Sequence, residues 1–270
     1  RDVAVTGVQT CALPIYTFDP KPLLAKYNGE NPNKLLKVQP TQFNNVGNIL
    51  QSPWKFNQHG QSGLWISELF PWISKVADDL AIIRSAVSNF SEHTSANYFM
   101  HTGSGLQGRP SWGAWTSYGL GSLNNNLPGF IVLNGGLIPP GGLDNFNSGF
   151  LPSAYQGSVF KYGSNPVANI DPKEKQPGMQ NAKLDLVRKL DSLSQSSRHN
   201  EIEAAIANQE TAFLMQSSIP ELMSIEGETK ATRDLYGLSS GYGPTKIFGT
   251  QCLVARRLVE RGARFLEITC

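Results

Sequence analysis

The sequence predicts an α/β domain in which a mostly parallel sheet lies between helices. Three observations predict it. Continuous apolar runs of strand length recur as "LAIIRSAVS" (80–88), "GFIVLN" (129–134) and "ARFLEIT" (263–269). Runs that are apolar on both faces suit strands covered on both sides. Between them lie segments with one apolar helical face, and the order helix into strand repeats, which favours parallel pairing.

The elements follow in order. "TFDPKPLLAKYNGE" reads as a turn and a short helix, started at Asp19-Pro20 and stopped at Asn28-Gly29. Residues 31–60 read as polar loop, ending in "FNQHGQSG". "GLWISELFPWISKVADD" carries Leu64, Leu69, Trp72, Ile73 and Val76 at helical spacing, with Pro71 inside. "LAIIRSAVS" is the expected first buried strand, and "SEHTSANYFMHTG" a strand-to-helix turn with its helix. "GRPSWGAWTSYGLG" predicts a helix with Ser111 as cap. "LPGFIVLN" is a second strand. Residues 135–180 read as loop-rich, with Pro139, Pro140, Gly141 and Gly142 together. "NAKLDLVRKLDSLSQ", "NEIEAAIANQETAFLMQ" and "TKATRDLYG" are amphipathic helices. "KIFGTQCLVARRLVERG" is another, stopped by Gly262, and "ARFLEIT" is the third strand.

Composition narrows the function classes. The chain has 270 residues, 40% hydrophobic and 16% charged, enough apolar material for a sizeable core. A net charge of +2 gives no basic field of the kind that binds nucleic acid. No apolar run reaches the roughly 18 residues of a transmembrane helix. Cys11, Cys252 and Cys270 have neither metal-ligand spacing nor the number for a disulfide framework. Cys252 reads as a small buried hydrophobe in its helix.

Both ends depart from the pattern between them. "VTGVQTCALPI" (Val5–Ile15) is the translation of a widely used sequencing-adapter oligonucleotide. The expected organisation is therefore an adapter-derived segment at 1–16, excluded from fold reasoning, followed by a domain at 17–270. The terminal "RFLEITC" stops inside a newly begun strand and is expected to be a truncation.

Candidate chemistry gathers in the turn after "LAIIRSAVS". Ligands of open parallel sheets bind beyond the carboxyl ends of strands, and this turn holds Ser91, Glu92, His93 and Thr94. A helix N-terminus there offers free N–H groups to an anionic oxygen. The plain alternative is a capped helix, with Ser91 or Thr94 as the cap. His93, Asn97 and His101 form one polar stripe. His93 and Asn97 could take a metal, whereas His101 suits a backbone partner. Arg109, in "HTGSGLQGRP", could clamp an oxyanion bidentately or simply face solvent. His59, in "HGQSG", carries no mechanism alone. There is no Walker loop, G-x-G-x-x-G or H-E-x-x-H.

In order, "TFDPKPLLAKYNGE", "SPWKFNQHGQSGLWISELFPWISKVADDLAIIRS", "EHTSANYFMHTG", "GRPSWGAWTSYGLGSLNNNLPGFIVL", "GFLPSAYQG", "ATRDLYGL" and "FGTQCLVARRLVERGARFLEI" resemble Domain of Unknown Function family 1501. This is a sulfatase-like group of the alkaline phosphatase superfamily, and the likeness runs from about Thr17 onward. The resemblance implies an alkaline-phosphatase-like α/β core, incomplete here, in a bacterial and commonly exported protein. It implies chemistry in which two metal ions, often zinc, activate a Ser, Thr or modified Cys nucleophile at a helix start. That nucleophile stands about three turns before a Thr-Gly pair. Thr102-Gly103 fits this landmark, and the spacing leads back to His93, with Ser91 and Thr94 beside it.

A histidine can ligate a metal or become a phosphohistidine, but it cannot replace an alkoxide without changing the mechanism. The family's Gly-Gly-Pro-Ser-type turn would stand where the adapter-like segment is. Its metal-bearing Trp-Asp-x-His and Gly-Arg-Asp-His-type segments do not occur in this sequence. The resemblance thus implies part of a metal-dependent hydrolase of phosphate or sulfate esters, with a small-molecule or glycan ester as substrate. His93 would be ligand or nucleophile, Thr94 or Ser91 the neighbouring hydroxyl, Arg109 the oxyanion clamp and Asp19 an acidic metal ligand. The chain itself is expected to be inactive. The alternative is a non-catalytic carbohydrate- or envelope-binding module that retains the fold.

Overall fold

The computed structural model describes residues 17–35, 47–85, 88–90, 92–124, 126–161, 163, 166–167, 176, 178–193 and 199–269. The adapter-like segment, with Cys11, and also Ser91 and Cys270, lie outside them. The chain divides between residues 87 and 88 into two compact units.

In the first unit, helix α1 (Pro22–Lys26) is followed by a short 3-10 turn, Pro32–Lys34. The turn after α1 pairs its backbone with an extended segment: Gly29 N–H donates to the Ile49 carbonyl (2.8 Å) and Ile49 N–H to that of Glu30 (2.9 Å). Leu24 and Ile49 bury together against Tyr27 and Trp54. Strands β1 (Phe56–His59) and β2 (Leu64–Ser67) then form an antiparallel hairpin. A 3-10 helix, Ile73–Asp79, follows.

The helix expected over "GLWISELFPWISKVADD" is thus a strand over Leu64–Ser67 and a 3-10 helix only over Ile73–Asp79. Gly60 and Gly63 take positive φ (68° and 64°), which turns the chain so that Leu64–Ser67 pairs backward on Phe56–His59. The Asp78 carboxylate fastens that turn, accepting from the N–H groups of Gln61 (3.0 Å) and Ser62 (2.8 Å). These bonds hold its carboxyl below the ordinary aspartate value. His59, read as loop, ends β1.

The second unit is a mixed α/β arrangement. Its elements are α2 (His93–Thr102), α3 (Trp112–Leu120), β3 (Phe130–Asn134), β4 (Ser158–Lys161), α4 (Met179–Leu193), α5 (His199–Met223), α6 (Lys230–Leu235), α7 (Gly243–Glu260) and β5 (Phe265–Thr269). The sheet is parallel with order β4-β3-β5, Val132 lying beside Val159 and Glu267. Every residue of β3 is buried. On one face Ile131 and Leu133 pack with Met215, Ile219 and Leu222 of α5 and Val254 and Leu258 of α7. On the other, Phe130 and Val132 pack with Phe146, Val159 and Phe265.

Two expected strands are present and parallel to each other, "GFIVLN" as β3 and "ARFLEIT" as β5. The third is not. Residues 80–85 form no strand, Ile83 is 78% exposed, and Arg84 reaches Asp19 at 3.7 Å within the first unit. An apolar run becomes a strand only where a neighbour takes up its N–H and C=O groups, and β3 already has strands on both edges. The edge of β3 opposite β5 is taken by β4, which lies in the stretch read as loop-rich; "SVFK", four residues long, shows no period of its own.

Helices α3, α4, α6 and α7 follow their sequence signals, whereas α5 runs past the expected end at Gln216, through Pro220, to Met223. Ser111 caps α3 by accepting from Ala114 N–H (3.3 Å), and Gly262 follows the end of α7. Cys252, expected to be buried, is half-buried in α7.

Gly113 sets how closely α3 approaches the sheet, since a Cβ there would stand 2.5 Å from the Phe130 ring. Gly113→Val is therefore expected to destabilise by about 1–3 kcal/mol through overpacking, several degrees in thermal midpoint. Gly119→Ala, in the same helix with open space around it, should be neutral or raise the midpoint slightly. Differential scanning calorimetry of the two variants checks the pair.

Candidate functional site

Helix α2 begins at His93 because Glu92 caps it. The Glu92 carboxylate accepts from the N–H groups of Thr94 (2.9 Å) and Ser95 (3.0 Å). The Thr94 and Ser95 amides hold its carboxyl below the ordinary glutamate value. The cap expected at Ser91 or Thr94 is therefore Glu92, and Ser91 lies outside the described residues. The N–H groups that sequence reasoning reserved for a substrate oxyanion are engaged by a carboxylate of the chain itself. His93 is exposed at this helix start and Thr94 is half-buried.

Thr102-Gly103 closes the helix. Gly103 adopts the left-handed conformation (φ 73°) and donates its N–H to the Phe99 carbonyl (2.9 Å). The Thr102 hydroxyl donates to the Tyr98 carbonyl (2.7 Å). The pair is a C-cap whatever else it does. Of the residues between, Tyr98 is buried and its hydroxyl donates to the Gly141 carbonyl (3.1 Å), whereas Met100 is 75% exposed.

The polar stripe is hydrogen-bonded along itself. Asn97 Nδ2 donates to the His93 carbonyl (2.8 Å), so its amide is engaged by the helix. His101 Nδ1 donates to the Asn97 carbonyl (2.8 Å), the backbone partner expected for it. Its other nitrogen faces Glu267 Oε1 at 2.5 Å, and its ring meets Phe146 edge-on. Glu267 lies on β5 beside Val132, on the sheet face covered by Phe146.

Both His101 nitrogens face acceptors, and only the imidazolium has two N–H groups to give. Burial opposes the charge, but the Glu267 carboxylate and the Asn97 carbonyl outweigh it and raise the His101 pKa. Sequence reasoning missed Glu267. An acidic residue inside an apolar strand run was the available signal, but nothing local named its partner.

Arg109 is exposed, and among the described residues it forms no ion pair. Asp19 belongs to the first unit, where Lys21 and Arg84 pair with it. Among the described residues no three His, Cys, Asp or Glu side chains come together as a metal site.

At the carboxyl edge of the sheet, α7 supplies Gln251. Its Nε2 donates to the Leu133 carbonyl (2.8 Å). Asn134 Oδ1 accepts from Gly136 N–H (2.7 Å) and the Thr269 carbonyl from Gly135 N–H (2.9 Å). The cavity lined by Asn134, Lys161 and Gln251 measures about 20 Å³, room for roughly one water.

The model of the family described as "Protein of unknown function (DUF1501)" matches residues 14–270. No curated protein and no solved structure matches the chain. Among the described residues no helix is long and apolar enough to cross a membrane.

The sign of the His101 shift fixes a pH effect. A raised folded-state pKa stabilises fully below the unfolded value, about 6.5, and that contribution is lost as pH rises through the folded value. Glu267→Gln should flatten the stability profile in that window. It should also move the His101 titration, followed by NMR of the imidazole, downward, because burial then has less to oppose it.

Proposed function

The chain belongs to the DUF1501 family, and from that premise we propose that it forms part of an exported, metal-dependent hydrolase of phosphate or sulfate esters. The observation that carries the reading is helix α2. It starts at His93 and ends at Thr102-Gly103, the interval at which the superfamily spaces its reacting residue from its Thr-Gly. The parallel sheet of the second unit suits an alkaline-phosphatase-like core. In this reading His93 is nucleophile or metal ligand, Thr94 or Ser91 supplies a hydroxyl and Arg109 clamps an oxyanion.

The described residues do not by themselves fit a divalent ion. Asp19 is paired with Lys21 and Arg84, the amides behind His93 are bonded to Glu92, and a catalytic zinc normally takes three protein ligands. An ion, zinc in this reading, needs the Trp-Asp-x-His and Gly-Arg-Asp-His-type segments that the resemblance implies. What the chain supplies is position: a helix start held by its cap and an exposed imidazole that can accept or pass a proton.

A second reading is a non-catalytic carbohydrate- or envelope-binding module. The Glu92 carboxylate favours it, because a fixed negative charge at the α2 N-terminus repels the phosphate or sulfate that the first reading places there.

Aryl phosphate and aryl sulfate assays with added zinc or manganese separate the two. The 270-residue chain should show no turnover. A longer family member carrying both ligand segments should show turnover that a chelator removes. Absence of turnover in that longer protein sinks the hydrolase reading. Turnover by the 270-residue chain that His93→Ala abolishes would show a site more complete than the described residues make.

A further inference from the structure

The amino ends of β3 and β4 border a groove of about 860 Å³, reached past Gly129 and Ser158. This is the opposite end of the sheet from the small cavity beside Gln251, and its size falls within the roughly 300–1,000 Å³ of ligand sites. No Lys, Arg or His lines it among the described residues. Its single carboxylate there, Glu210, is engaged by Arg188 (2.7 Å). The polar lining is otherwise neutral, with Gln156, Ser158 and Thr211 on its walls. That chemistry disfavours an anion and suits a ligand rich in hydroxyls.

Ser117 gives the groove an open demand. It lines the groove, is only 5% exposed, and its hydroxyl has no hydrogen-bond partner among the described residues. A buried hydroxyl left in that state is rare and unfavourable; its oxygen is out of solvent contact, so a bound donor or acceptor relieves it through a small local opening of the groove wall. An apolar partner would not.

Flat apolar surface continues from the groove onto α3 through ring contacts, which make its rim. Tyr155 lines the groove, and the Tyr118 ring meets it edge-on at 5.2 Å. One turn earlier on α3, Trp115 contacts both Tyr118 (6.1 Å) and Phe150 (5.8 Å) edge-on. Trp115 and Tyr118 are 46% and 52% exposed. Mutual edge contacts fix these rings before anything binds, which lowers the ordering cost of binding. A pyranose offers both complements, a C–H face for an aromatic ring and hydroxyls for neutral polar walls.

We propose that this groove, with the Trp115–Tyr118–Tyr155 rim, is a binding site for a neutral sugar chain. It gives the carbohydrate-binding reading a location. It needs no ester hydrolysis, so turnover and sugar binding stand or fall separately.

The test titrates the full chain with cellohexaose, chitohexaose and maltohexaose, followed by calorimetry and tryptophan fluorescence. At least one should bind saturably, with Kd of about 1 mM or tighter. Trp115→Ala and Tyr118→Ala, at exposed positions, should keep the far-ultraviolet dichroism and thermal midpoint and weaken binding about tenfold or more. Ser117→Ala should weaken binding without lowering the midpoint, since it removes an unpartnered hydroxyl and adds no volume. Failure of all three sugars to bind the folded chain at about 10 mM overturns the proposal, as does undiminished binding by the rim variants. Sedimentation showing dimers that the rim variants dissolve would assign the surface to a second copy instead, and also overturns it.

Discussion

Strand β3 has no free side. Its edges are bonded to β4 and β5 and both faces are covered, so all five of its residues are buried. The rest of the second unit follows from that. Helices α5 and α7 cover one face, and α3 and the Phe146 turn cover the other, with Gly113 setting the approach of α3. Register with β3 places Glu267 on the covered face, beside Val132. A carboxylate there needs a partner, and His101 meets it, which fixes one face of α2 toward the sheet. The orientation of the candidate site is thus a consequence of the pairing of the central strand.

Much of this was legible in the sequence, and the failures have physical reasons. Helices α5 and α7 and strands β3 and β5 announce themselves because their apolar spacing matches the surfaces they bury. "LAIIRSAVS" opens with an apolar run like that of β3 yet forms no strand over 80–85, because a run of apolar residues does not reveal whether a hydrogen-bonding neighbour exists. Strand β4 escaped for the converse reason. "SVFK" is too short to show a period, and the register on β3 makes it a strand. The hairpin at 56–67 was hidden by apolar residues whose spacing also fits a helix, while Gly60 and Gly63 decide the matter through their backbone.

The candidate site was legible only in part. The helix from His93 is as read, and Thr102-Gly103, read only as a family landmark, is also its C-terminal stop. The anion-receptive helix start is not, because Glu92, next to the supposed nucleophile position, turns back onto the amides. The His101–Glu267 pair joins residues 166 positions apart, a distance no local pattern spans. Chemistry was expected at 91–94 on the supposition of a strand before it, whereas the carboxyl ends of β3 and β4 border a cavity of about 20 Å³ beside Gln251 and Asn134, and their amino ends carry the larger groove.

That β3 is the centre of the sheet, and 80–85 no part of it, is tested most directly by native-state amide hydrogen exchange. Peptides spanning 130–134 should exchange slowest in the second unit, near the limit of global unfolding. Residues 80–85 should exchange orders of magnitude faster. Equal, slow exchange in the two segments would mean that "LAIIRSAVS" is a sheet strand after all, and that the turn at His93 does follow a strand's carboxyl end.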